Sequence, residues 1–212
     1  VGELRAPVVV GLGFLAGSVP FSQVGARSLH NVDLRDVGTG TVSGTALFEV
    51  AGFAPLAAFG VLEVAKGAVG PWLAGERPWL AAVAGGAAVV GHNWSPWLGG
   101  AGGRGLSPAV GALLPRHPVG SALLLAGMAG GRLAGETALG ALVADGLLVP
   151  VLWRTGGRAG RAAAVAVVLP MLVKRLRGNG RPTGAPDRVW LWRLLYDRDT
   201  REKVTAQRPS VR

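Results

Sequence analysis

Apolar stretches separated by short polar or glycine-rich ones run through most of this chain. They concentrate near residues 6–26, 47–74, 79–98, 106–115 with its continuation, 119–131, 134–153 and 157–173. A helix needs roughly 20 apolar residues to cross hydrocarbon, so the pattern predicts an all-α, polytopic membrane helix bundle with about seven transmembrane helices. The fourth and fifth stretches are the shortest. "LLPRHPVG" sets two prolines and two basic residues between them, so short, tilted or partly re-entrant helices are expected there. The opening "VGELRAPVVVGLGFLAGSVPF" carries Glu3 and Arg5 at its flank and stays apolar past Pro20, which favours a retained first span over a signal peptide.

Composition supports the same class. Half the residues are hydrophobic, 16% are charged, and the mean hydropathy is +0.39, beyond what a soluble domain usually tolerates. The 35 glycines, about twice the average frequency, let helices approach closely. Cysteine is absent, which excludes disulfides and thiolate chemistry. Three histidines are few for a metal site, and neither a metal nor a cofactor is expected. The net charge of +10 is spread through loops and a basic C-terminal part. Such a rim meets anionic headgroups or anionic substrates rather than nucleic acid, for which no recognition motif is present.

An odd number of spans puts the termini on opposite sides. Lys174, Arg175, Arg177, Arg181 and Arg188 place the C-terminal flank in the cytoplasm of a bacterial inner membrane. The 27–46 loop, the "GGAGGRG" loop and Arg132 then share that side, while Arg154, Arg158 and Arg161 fall opposite. Residues 1–177 are expected to form the transmembrane domain. Residues 178–212 form a basic tail, opening with the breaker-rich "GNGRPTGAP" and continuing as "DRVWLWRLLYDRDTREKV", a composition suited to an interfacial helix or to a solvated tail.

Two loops hold the candidate chemistry. In "DLRDVGTGTVSGTA", Thr39, Thr41, Ser43 and Thr45 offer hydroxyls, Gly38, Gly40 and Gly44 allow close backbone approach, and Arg35 adds a fixed positive charge. Those are the parts of a phosphate cradle, and equally those of a flexible turn. In "GHNWSPWLGGAGGRG", a His92–Asn93 pair ends one apolar stretch, and the connector holds Gly102, Gly103, Arg104 and Gly105. Two such loops on one face favour an anionic ligand. Within "VLEVAKGAVG", Glu63 and Lys66 lie three apart on one helix face and can neutralise each other; Asp145 is another charge inside a span.

"GSVPF", "VDLRDVGTGTVSGTA", "EVAKG" and "GHNWSPWLGGAGGRG" stand in an order and spacing that resembles the bacterial acyl-phosphate:glycerol-3-phosphate acyltransferases, a seven-span membrane enzyme family of phospholipid synthesis. The similarity covers roughly residues 11–177. Ser18, Pro20, Asp33, Arg35, Gly38, Gly40, Thr45, Lys66, Gly67, Gly91, His92, Gly102, Gly103 and Gly105 match the family motifs as they stand. Thr39 replaces a serine, Glu63 an aspartate and Arg104 a lysine. Thr41, Ser43 and Ala46 stand where the family has Asn, Gly and Asn. Glu49 falls at an expected arginine, and Leu169 and Leu172 at an expected histidine and asparagine.

The resemblance implies transfer of a fatty acyl group from acyl phosphate to the 1-hydroxyl of glycerol 3-phosphate, giving lysophosphatidic acid. It implies His92, Arg104 and Thr39 as catalytic residues. Arg35, Gly38, Gly40, Thr41, Ser43, Thr45, Lys66, Asn93, Gly102, Gly103 and Gly105 would bind substrate phosphate, and membrane lipids would surround the protein. Oligomeric state is open. Two alternatives stand beside this reading: a non-catalytic or altered-substrate paralogue, suggested by Glu49, Leu169 and Leu172, and a small anion transporter, which the lack of any repeated half disfavours.

Overall fold

The structure, a computed structural model, describes residues 4–180 and 187–200. Glu3 and Arg181, used above as flank charges, lie outside the described residues, as do the tail's ends at 181–186 and 201–212. The described chain is helical, without a strand. In order it forms α1 (Ala6–Ser18), α2 (Phe21–His30), α3 (Gly44–Ala51), α4 (Phe53–Leu73), α5 (Pro78–Asn93), α6 (Leu106–Leu113), α7 (Pro118–Leu133), α8 (Thr137–Arg177) and α9 (Val189–Tyr196), with single 3-10 turns at Leu34–Asp36 and Pro96–Leu98.

Among the described residues three stretches are long and apolar enough to cross a bilayer: Ala6–His30, Phe53–Leu73 and Thr137–Arg177. The last is two helices in one. Gly157, at φ 58° and ψ −142°, leaves the helical region in its middle. The chain then reverses, since Arg175 near the end donates to the carbonyl of Ala138 near the start at 2.9 Å. Each half is about 20 residues, or about 30 Å, one bilayer core. This break falls where the apolar pattern already separates 153 from 157. The expected 47–74 span is instead divided at Gly52, whose φ of 81° ends α3 and starts α4. The short α6, at 8 residues, reaches only part of the way before the Pro-flanked turn into α7.

Burial is inverted relative to a water-soluble protein. Phe53 is 73% and Trp72 74% exposed, while Glu63 is 2% and Lys66 4% exposed. Apolar side chains on the outside match a hydrocarbon surround, and charges inside must then satisfy one another. The core is built by α5, α6, α7 and α8 around Val89, Leu113, Leu124, Leu148 and Val167. Between α1 and α5 contact is backbone to backbone: a Cβ on Gly17 would collide with Ala88, which is the small-residue packing that membrane helices use in place of a hydrophobic drive.

The bundle has two distinct ends. One gathers Leu4, Gly75–Arg77, Arg116, His117 and Gly156: Arg77 donates to the Leu4 carbonyl at 2.9 Å, Arg116 reaches Gly75, and the His117 ring lies over Gly156. The other gathers both glycine loops, the start of α8's first half, the end of its second and α9.

A candidate phosphate site between two glycine loops

Local sequence shapes each loop first. Asp33 caps the 3-10 turn by accepting from the Arg35 amide at 3.0 Å and then grips the Arg35 guanidinium with both oxygens, at 3.0 and 2.7 Å. Arg27 joins the same carboxylate at 2.7 Å. These bonds, Arg35's side-chain ones first, hold the Asp33 carboxyl well below the usual carboxylate range, and the same pairing raises Arg35. Gly38 and Gly40 take positive φ, at 55° and 67°, which lets the chain turn back on itself before α3. The Thr39 and Thr41 hydroxyls bond each other at 3.0 Å. Ser43 accepts from the Ala46 amide at 3.3 Å as the α3 N-cap, and Thr45 sits exposed in the first turn.

The two loops meet. The Val42 amide donates to the Gly102 carbonyl at 3.2 Å, and the Gly103 amide to the His92 carbonyl at 3.3 Å. Asn179, just beyond α8, fastens the junction: its amide donates to Gly40 at 2.7 Å and Gly102 at 2.9 Å, and its oxygen accepts from the Gly102 amide at 3.3 Å. A Cβ on Gly103 would strike both the His92 ring and the Val42 carbonyl. Only glycine fits there. Gly105, at φ 85°, turns the chain into α6.

Beneath the junction lies a buried polar cluster. The Lys66 ammonium is 2.6 Å from Glu63 Oε2, 3.0 Å from His92 Nδ1 and 2.6 Å from the Val19 carbonyl. His92 Nδ1 is 3.3 Å from the same Glu63 oxygen. Glu63 Oε1 accepts from the Ser22 amide and hydroxyl at 2.9 and 3.0 Å. A crevice bounded by Ser18, Pro20, Val42, Glu63, His92 and Gly103 joins cluster and loops. Burying a charged pair is tolerable only when its remaining valences are met, and here α2, α4, α5 and the Val19 turn between α1 and α2 contribute.

Thus Gly40, Thr41, Lys66, His92, Gly102 and Gly103 converge, with Thr39, Gly38 and Gly105 adjoining. The remaining candidates sit apart from that convergence. Arg35 is surface-exposed and already bidentate to Asp33. Asn93 is fully buried and donates to the Pro170 carbonyl at 2.9 Å, a tether between α5 and α8. Arg104 stands at the loop edge, its Nε 2.6 Å from Asp197 of the tail and its Nη1 3.2 Å from the Lys174 carbonyl. Of the positions that depart from the motifs, Glu49 is exposed beside Gly38, Leu169 faces outward from α8, and Leu172 packs on the core.

Residues that the sequence pattern passed over complete the site. Asn179 lay in what reads as a breaker-rich linker; its signal was an amide between two glycines directly after the last apolar span. Lys174 counted only as a topogenic charge, yet it is fully buried, 3.3 Å from the Gly100 carbonyl and 5.3 Å over the Trp94 ring. Among the described residues no cluster of His, Asp and Glu suited to a metal ion occurs.

Comparison with known proteins agrees with this architecture. A profile of the glycerol-3-phosphate acyltransferase family matches residues 7–181. A glycerol-3-phosphate acyltransferase of Synechococcus sp. (strain CC9902) is 35% identical over 174 residues, covering 80% of this chain and 86% of that one. Another, from Roseobacter denitrificans (strain ATCC 33942 / OCh 114), is 34% identical over 173 residues, covering 79% and 85%. The fold is similar to the crystal structure of PlsY (YgiH), an integral membrane glycerol 3-phosphate acyltransferase, in its glycerol 3-phosphate form, with a TM-score of 0.73 at 24% identity over 80% of this chain and 88% of that one. The profile match takes in both glycine loops, the buried cluster and every span from α1 to α8, and on that match the chain belongs to the glycerol-3-phosphate acyltransferase family.

Proposed function

We propose that this protein transfers a fatty acyl group from an acyl phosphate to the 1-hydroxyl of glycerol 3-phosphate, at the cytoplasmic face of a bacterial inner membrane. The observation that carries the reading is the packing of residues 38–45 against 102–105 over the Glu63–Lys66–His92 cluster. In the reaction the acceptor hydroxyl oxygen bonds the acyl carbon, the bond from that carbon to the phosphate oxygen breaks, and inorganic phosphate leaves with the electron pair. The hydroxyl proton passes to the departing phosphate or to solvent. Because the donor is already activated, no protein nucleophile is required. The protein's work is to bring two phosphorylated molecules together against their repulsion and to stabilise charge on the leaving group.

The residues suit those tasks. Lys66 supplies a positive charge beneath the loops, and backbone amides and threonine hydroxyls of residues 38–45 supply donors. Arg104 carries the cation at the rim. His92, held at Nδ1 by Lys66 and Glu63, orients rather than attacks. The acyl chain reaches the crevice from the bilayer side, where glycine and alanine line α1 and α5.

The test uses the purified protein in detergent with palmitoyl phosphate and glycerol 3-phosphate, following phosphate release. Release that requires the acceptor supports the reading, and His92→Asn or Lys66→Met should abolish it. Equal release without acceptor would mean hydrolysis, and release with glycerol as efficient as with glycerol 3-phosphate would mean an altered acceptor. That last arm is set by Glu49, whose carboxylate stands beside Gly38 where a phosphate-binding cation was expected.

A further inference from the structure

The tail beyond residue 181 lies outside the family match, yet its described part is tied closely to the site. α9 is held by Arg193, a buried side chain that donates to the carbonyls of Leu176, Arg177 and Gly180 at 3.1, 2.6 and 3.2 Å. Its Nε meets Asp199 at 2.5 Å. Arg175 adds a bond to the Leu194 carbonyl at 3.1 Å. α9 then ends on Asp197 in the left-handed region, φ 56° and ψ 34°. That turn sends the carboxylate back to the rim, with Oδ1 2.6 Å from Arg104 Nε and both side chains mostly covered, at 18% and 15% exposed. Among the described residues Arg104 forms its ion pair with this acid, and neighbouring Lys174 forms none.

The two charges touch at Nε without an aligned hydrogen bond, so the carboxylate holds loosely a guanidinium of the kind that also takes phosphate oxygens. We infer that Asp197 is a tethered competitor for phosphate at Arg104, so that the tail sets the affinity for one phosphorylated substrate. This rests on the proposed function, which places Arg104 at the site. Held by α9, the carboxylate has an effective concentration of about millimolar order and must be displaced before a substrate phosphate can bind. A dianion carries more charge than the carboxylate, so displacement proceeds and its cost appears in KM. The contact forms before substrate binds, and kcat is left alone.

Asp197→Asn in the full chain tests this, because asparagine keeps the shape and tolerates the left-handed turn. With palmitoyl phosphate and glycerol 3-phosphate varied in turn, KM should fall about five-fold for the substrate whose phosphate Arg104 holds, the factor for an ion pair at the upper end of the partly exposed range. KM for the other substrate and kcat should stay put, which separates the two phosphate sources. Inorganic phosphate should raise the thermal midpoint of Asp197→Asn more than that of the unaltered protein, a reading that does not depend on turnover. In Arg104→Gln the added Asp197→Asn change should have no effect. Unchanged or raised KM in Asp197→Asn, together with an equal phosphate-induced shift, overturns the inference while leaving the proposed function intact provided Arg104→Gln raises KM. If Arg104→Gln leaves KM unaltered, both the inference and the placement of Arg104 at the site fail.

Discussion

At one end of the bundle Arg116 approaches Glu76 at 3.7 Å across an acid that is fully exposed, His117 leans on Gly156 and Gly160, and Arg161 stacks on Trp153 at 3.9 Å. At the other end Lys66, Glu63 and His92 lie within 3.3 Å of one another, buried, with partners from α2, α4, α5 and the turn between α1 and α2. Both ends spend basic residues, histidine and glycine. The difference is what surrounds them. Water or headgroups can satisfy the first set, so its contacts weigh little; nothing but protein can satisfy the second, so each member depends on all the others. The crevice at the first end is walled by Ala82, Gly85, Leu113 and Val167, with Arg116 and His117 at its edge and no acid or glycine loop among its lining. Residue type alone marks neither end as a site, whereas burial together with partners distant in sequence does.

The largest expected contrast is in stability. Glu63→Gln leaves Lys66 and His92 without their counter-charge and should cost about 3–5 kcal/mol, whereas Arg116→Gln should cost less than about 1 kcal/mol; unfolding midpoints in one detergent compare them. Equal losses would erase the distinction between the ends.

Next comes the loop junction. Gly103→Ala pushes the His92 ring and the Val42 strand of chain apart, and a displacement of about 1 Å lowers kcat/KM about 100-fold. Gly156→Ala, whose added carbon meets the His117 ring at the end away from the loops, should stay within about two-fold. Asn179→Ala removes three hydrogen bonds and leaves the Gly40 carbonyl without its donor and the Gly102 amide without its acceptor, about 1–3 kcal/mol, read as about a ten-fold or greater loss in kcat/KM with the helical content retained.

The smallest effect is a pH slope. Burial, and then Arg116, lowers the pKa of His117. The folded state therefore favours the neutral ring, so the unfolded chain takes up the proton first as pH falls. Stability from this residue is fully present above about pH 6.5 and declines below it, and His117→Asn should flatten that decline in a series of thermal midpoints.

Much of this was legible before any coordinates. The apolar runs, the reversal between 153 and 157 and the Glu63–Lys66 pairing rest on near neighbours, at i to i+3 or within one span, and the common face of the two loops rests on the count of spans between them. Less legible were features that depend on distant partners. His92 joins Glu63 from 29 residues away, by its number, and Asn179 reaches Gly40 across 139 positions. The fold also divides 47–74 at Gly52, because two helices there take different directions, a change that hydropathy cannot register.

By itself, then, the sequence determined the solvent this protein lives in and the inventory of its site, since hydrophobic run length and local spacing are properties of a single strand of chain. Which cations are free for a ligand was decided only in three dimensions. Arg35 and Arg104 look alike on paper, but one is bidentate to an acid two residues away and the other is paired with an acid 93 positions on. Coulomb energy depends on separation in space and on what excludes water from between the charges, and neither quantity is written in the order of the residues.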